Sequence, residues 1–135
     1  MKYSIEGFGQ EKAVELGLTS EDLVLLRWFV DFYGTGKMAK HLLPDGIYAW
    51  VNYKTVLEQL PIIKCNKRNL MSRFERLVDA GVLTHKTIKQ GGTFAVYGFG
   101  PQYDSLIYEQ PTSKIRLPPR LKSDVQRLFY KKILL

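Results

Sequence analysis

The sequence holds one cysteine, Cys65, and two histidines, His41 and His85, which lie far apart in the chain. A lone thiol closes no internal disulfide, and no second cysteine stands ready to complete a tetrahedral metal site with either histidine. Long apolar runs are missing too. No segment approaches the roughly 18 apolar residues of a membrane span, and the opening MKYSIEGFGQEK has no apolar stretch of signal-peptide length. These absences lead us to expect a cytoplasmic protein with no structural zinc and no membrane association. The 135 residues, 45% of them apolar, suffice for one modest core and are too few for two ordinary domains.

Signs of catalysis are equally sparse. His41 and His85 have no serine, cysteine or paired carboxylates spaced to make either a general base. GTGK, residues 34 to 37, lacks the further glycines of a phosphate loop, and Met38 stands where that loop needs Ser or Thr. Cys65 sits near a helix start, where the dipole can lower a thiol pKa, but a packed thiol is the simpler reading. The expectation is a non-enzymatic protein with no cofactor, no metal and no small-molecule substrate.

Acidic residues are scarce in two stretches. Residues 64 to 89 carry seven Lys or Arg against two acids, and residues 111 to 135 carry seven against one, whereas residues 1 to 63 carry six against eight. The net charge of +7 is therefore gathered in two blocks. Clustered positive charge points to a polyanion.

Local patterns place the blocks. Residues 9 to 18 read as a short helix stopped by Gly17. Thr19 and Asp22 form a capping box for a helix ending at Gly34 and Gly36, apolar around nearly its whole circumference except at Arg27 and Asp31. Pro44, Asp45 and Gly46 make a turn before the strand-like IYAWVN, whose Ile47, Ala49 and Val51 share a face. Asn52 caps a short helix that Pro61 ends. From Asn66, Leu70, Phe74, Leu77 and Val78 define one buried helical stripe. Asn69, Ser72 and Arg76 lie opposite, with Arg68 beside them and Arg73 on the flank. Gly81 closes this helix, and VLTHKTIK and TFAVYGF read as a hairpin around Gly91 and Gly92.

The predicted fold class is α+β, a winged helix-turn-helix with a C-terminal β-hairpin wing and an extra C-terminal basic helix. Residues 1 to 100 are expected to form the DNA-binding domain. Residues 101 to 135 are expected to be a Pro-interrupted basic tail ending in an amphipathic helix. A helix fits the DNA major groove, where Arg73 or Arg76 can fork onto guanine and Asn69 can pair with adenine. Lys64, Lys67 and Arg68 suit phosphates, which set register without reading sequence. Ser72 belongs to the same face. Lys86, Lys89, Gln90 and Thr93 gather at or near the hairpin tip, beside glycines that permit close backbone approach. For the arginines the plainer reading is local pairing, Arg76 with Asp79 and Arg73 with Glu75 or a neighbouring acid. For the hairpin it is an ordinary sheet edge.

Three blocks, LRWFVDFYGTGKM, IYAWVNYKTVLEQLPII and RFERLVDAGVLTHKTIKQGGTFAVYGFG, resemble the N-terminal winged-helix domain of replication initiators, or replisome organisers, from phages and plasmids of low-GC Gram-positive bacteria. With YSIEGFGQEKAVELGL, the likeness covers about residues 3 to 108. It implies a module that binds double-stranded DNA at an origin, with a recognition helix on Asn66 to Ala80 and a wing on Lys86 to Thr93. Members of that family usually continue into a long C-terminal part, whereas this sequence stops at Leu135 after a short basic tail, as either a fragment or the same module put to another task. A plasmid transfer-origin (conjugation) accessory protein, a transcriptional regulator and a protein-interaction module are the alternative roles. The tail's apolar side, Val125, Leu128, Phe129 and Ile133, has three candidate uses: burial on its own domain, a homodimer contact, or a DNA-reaching arm.

Overall fold

A computed structural model describes residues 1–108; the expected C-terminal helix and the rest of the tail lie outside the described residues. The chain begins with a tight hairpin, β1 (Ser4–Ile5) and β2 (Phe8–Gly9), turned by Glu6 and Gly7 at positive φ. Helix α1 (Gln10–Glu15) follows at once and Gly17, at φ 75°, reverses the chain. Helix α2 (Ser20–Gly34) starts on the expected capping box: the Thr19 N–H donates to Asp22 Oδ2 at 2.9 Å, and the Asp22 N–H donates to Thr19 Oγ1 at 3.3 Å.

The turn at Pro44 and Asp45 joins two strands rather than a loop and a strand. β3 (Lys40–Leu43) pairs antiparallel with β4 (Gly46–Trp50). Helix α3 (Tyr53–Gln59) is capped by the Asn52 side chain, and a 3-10 turn (Pro61–Ile63) leads to Lys64 at φ 50°. Helix α4 (Lys67–Asp79) begins where the Asn66 side chain accepts from the Asn69 N–H at 2.8 Å. β5 (Leu83–Lys89) and β6 (Thr93–Phe99) form the expected hairpin, and the short α5 (Tyr103–Leu106) closes the described chain.

The four long strands make one antiparallel sheet in the order β3-β4-β6-β5. The protein is thus a mixed α+β structure with a small sheet and helices on it. The core lies between them, built from Leu25, Leu26 and Phe29 of α2, Val56 of α3, Leu70, Phe74 and Leu77 of α4, and Ala49, Leu83 and Tyr97 of the sheet. The stripe predicted on α4 is inside, with Leu70, Phe74 and Leu77 wholly buried and Val78 partly so. On β4, Ala49 and Val51 are buried, while Ile47 is 50% exposed beside its β3 partner Leu42.

The proposed boundary at residue 100 falls within packed structure. Leu106 is fully buried, Ile107 bridges to Phe8, and the Tyr108 N–H donates to the Gly7 carbonyl at 3.2 Å, so α5 and the N-terminal hairpin hold each other. No helix among the described residues is long and apolar enough to cross a membrane.

Candidate nucleic-acid interface

Burial of one stripe of α4 decides where its other side chains stand. At 100° per residue, the buried line through Leu70, Phe74 and Leu77 leaves two flanks and an outer face. Lys67, Met71 and Glu75 flank the hairpin side. There a groove of about 650 Å³ opens between α4 and the sheet, with His85, Thr87, Thr93, Ala95 and Tyr97 as its opposite wall. Arg68, Asn69 and Ser72 are exposed on the outer face. The Ser72 hydroxyl donates to the Arg68 carbonyl at 3.1 Å, a bond within its own helix.

Arg73 lies on the third side and Arg76 where that side meets the outer face, and both reach the first turn of α2. There the Asp22 carboxylate is fully buried. Arg76 Nη1 is 3.2 Å from Asp22 Oδ2, and Arg73 Nη1 is 3.5 Å from Asp22 Oδ1 while its Nη2 is 3.4 Å from Glu21 Oε2. Both arginines are therefore paired, but with α2 rather than with Asp79 and Glu75. A buried carboxylate needs opposite charge and hydrogen bonds at its oxygens, and two guanidiniums satisfy it more fully than exposed local pairs would.

The same discrimination occurs on the hairpin. Strand alternation puts His85, Thr87 and Lys89 on the α4 side, together with their partners Tyr97, Ala95 and Thr93. Lys86 and Ile88 face the other way. Lys86 Nζ lies 2.7 Å from Asp45 Oδ1 and over the Tyr48 ring, whose hydroxyl donates to Asp45 Oδ2 at 2.9 Å. The hydrogen bond from Lys86 holds the Asp45 carboxyl below its ordinary pKa, and the same bond raises that of Lys86. Lys86 thus stands on the back of the sheet, apart from the tip. Lys89, Gln90 and Thr93 are exposed at the tip, where the Gln90 N–H donates to the Gly92 carbonyl at 3.1 Å and Gly91 takes φ 67°. A left-handed conformation of that kind suits glycine.

Tyr97 ties the hairpin to the helices. Its ring lies 4.7 Å from Phe74 and 4.8 Å from His85, and its hydroxyl is 2.6 Å from that of Tyr53 on α3. Burial pushes both tyrosine hydroxyls above their usual range, and for Tyr97 the bond to Tyr53 adds to the effect. This aromatic cluster joins α3, α4 and the hairpin, beside the aliphatic core of Val56, Leu70, Leu77 and Leu83.

Of the residues predicted from sequence, Lys64, Lys67, Arg68, Asn69 and Ser72 cluster at the start of α4, and Lys89, Gln90 and Thr93 stand at the hairpin tip. Arg73, Arg76 and Lys86 are held by carboxylates. Sequence reasoning missed the acidic partners, Glu21, Asp22 and Asp45. Asp22 was legible as a capping residue, but nothing local to it signals two arginines more than fifty positions away. Compared with models of protein families, with curated proteins and with solved structures, the chain matches none.

Proposed function

We propose that the protein is a winged helix-turn-helix module that binds double-stranded DNA without catalysing a reaction, with α4 as recognition helix, α3 as its brace and the β5–β6 hairpin as wing. One observation carries the reading: the exposed cations Lys64, Lys67 and Arg68 at the start of α4, and Lys89 at the hairpin tip, have no ion pair among the described residues. Unpaired cations on a helix and on a neighbouring hairpin match the alternation of groove and phosphate backbone on a duplex. The order of helix, strand pair, helix, helix and hairpin, with β4 beside β6, supports the same architecture.

In this reading α4 lies in the major groove by its outer face, with Asn69 facing base edges and Lys64, Lys67 and Arg68 on phosphates. The tip residues Lys89, Gln90 and Thr93 meet the adjoining backbone or minor groove. The resemblance to replication initiators makes an origin of a plasmid or phage the favoured target. Titrating the full chain with duplex DNA from low to moderate salt tests binding, which is expected to weaken steeply as salt rises. A flat salt response refutes the reading. Footprinting on the DNA around the chain's own gene tests the target: protected repeats at an origin support it, and protection of a transfer origin or a promoter replaces it.

A further inference from the structure

Arg73 and Arg76 touch the same carboxylate in different ways. The Arg73 side chain is 20% exposed, both its terminal nitrogens lie against Asp22 and Glu21, and its buried Nε has no hydrogen-bond partner among the described residues. Its one unpartnered donor is buried, out of reach of a ligand. The Arg76 side chain is 44% exposed and meets Asp22 through Nη1 alone, at 3.4 and 3.2 Å from the two carboxylate oxygens. A guanidinium held at Nη1 keeps its Nε–H and Nη2–H pair as a planar two-donor fork. Arg76 also follows Asn69 and Ser72 along the outer face of α4, at the helical spacings that put residues on one side.

We propose that Asp22 is a positioning residue for base reading. Its buried carboxylate fixes the Arg76 guanidinium so that the Nε and Nη2 edge is presented to a guanine in the major groove. Glu21 and Arg73 complete the arrangement: two carboxylates and two guanidiniums leave the cluster neutral, so Arg76 contributes orientation more than net charge. An arginine fixed before binding loses less rotamer freedom when it docks, which favours the one base whose O6 and N7 match the fork. The inference rests on the DNA-binding reading above and deepens it by separating the two arginines: Arg76 reads and Arg73 braces.

The test selects preferred sites from a randomised duplex library with the full wild-type chain, then measures affinity for that site and for versions substituted at each guanine. One guanine is expected to be preferred by about 5- to 150-fold, the discrimination of a good bidentate pair. Arg76→Lys keeps a cation beside Asp22 but removes the fork, and is expected to erase that preference alone. Asp22→Asn is expected to weaken the preference at the same base pair without weakening binding to random duplex, since it leaves the cluster with one net positive charge; a purely structural role of Asp22 does not produce that split. Because Asp22→Asn strands the Arg73 charge, the double variant Asp22→Asn with Arg73→Met is measured beside it, with circular dichroism to verify the fold. A folded variant lacking the carboxylate that keeps the full guanine preference overturns the proposal, and so does a wild-type preference that Arg76→Lys leaves intact. Failure of the wild type to bind any duplex is distinguishable, since it removes the DNA-binding reading first and this inference with it.

Discussion

Lysines on α4 and on the β5–β6 hairpin are predicted to differ sharply in what they contribute to DNA affinity, and the difference can be worked from their partners. Lys86 is balanced by Asp45 at 2.7 Å and faces away from α4, whereas Lys67 and Lys89 have no ion pair among the described residues and stand on the α4 side. Each phosphate neutralised by a lysine releases condensed counterions, so log K changes with log salt by about 0.9 per contact on duplex DNA. Replacing Lys67 and Lys89 together by alanine should therefore flatten the slope by about 1.8, and replacing Lys86 should leave it nearly unchanged. Over a fourfold rise in salt, a slope of 1.8 corresponds to a loss of about 12-fold in the advantage the two lysines confer. Fluorescence anisotropy of a labelled random duplex, at several salt concentrations for each variant, measures the slopes directly. Cations elsewhere in the chain contribute to every variant and cancel in the difference. If Lys86→Ala flattens the slope as much as Lys89→Ala, or the double variant keeps the wild-type slope, the assignment of the hairpin faces to their tasks is refuted.

Three further expectations concern the frame that holds the surface. Phe74 is fully buried between Tyr53 and Tyr97, so Phe74→Ala should cost about 3–5 kcal/mol, measured by urea unfolding; a loss below about 1 kcal/mol would contradict its central place. The Tyr53 and Tyr97 hydroxyls favour the neutral form when folded, so the stability they contribute is complete below the ordinary tyrosine pKa of about 10 and falls as pH rises past it. Replacing both by Phe should blunt that alkaline loss in melting temperatures taken from neutral pH upward, and an unchanged alkaline profile would exclude the pair as its cause. A Cβ on Gly100 would collide with the carbonyl of Gly81, which itself sits at φ 78°, so Gly100→Ala should destabilise by about 1–3 kcal/mol or more and lower the midpoint of thermal unfolding; an unchanged midpoint would show that the Gly81 turn yields freely.

Much of the fold was legible because its signals are local. The Thr19–Asp22 capping box, the Asn52 cap, and the stripe of Leu70, Phe74 and Leu77 act over three to eight residues, the range within which sequence spacing and spatial neighbourhood coincide. β3 escaped notice because KHLL is too short and mixed to show a period, and it becomes a strand only by pairing with β4. Alternation put Ile47 on a face with Ala49 and Val51, but it selects a face of the strand and not how far burial extends along it, and Ile47 is 50% exposed.

The candidate site divides along the same line. Sequence alone determined that positive charge gathers on residues 64 to 89, that a helix there buries one stripe and exposes another, and that a glycine-centred hairpin follows it. Only the tertiary structure decided which cations stand unpaired. Asp22 and Arg76 are 54 positions apart and Asp45 and Lys86 are 41 apart, and each pair meets because packing of α2 on α4, and of the β3–β4 turn on the sheet, carries a carboxylate to a cation. Charge is a property of composition; whether a charge is available to a partner depends on which opposite charge the fold brings beside it.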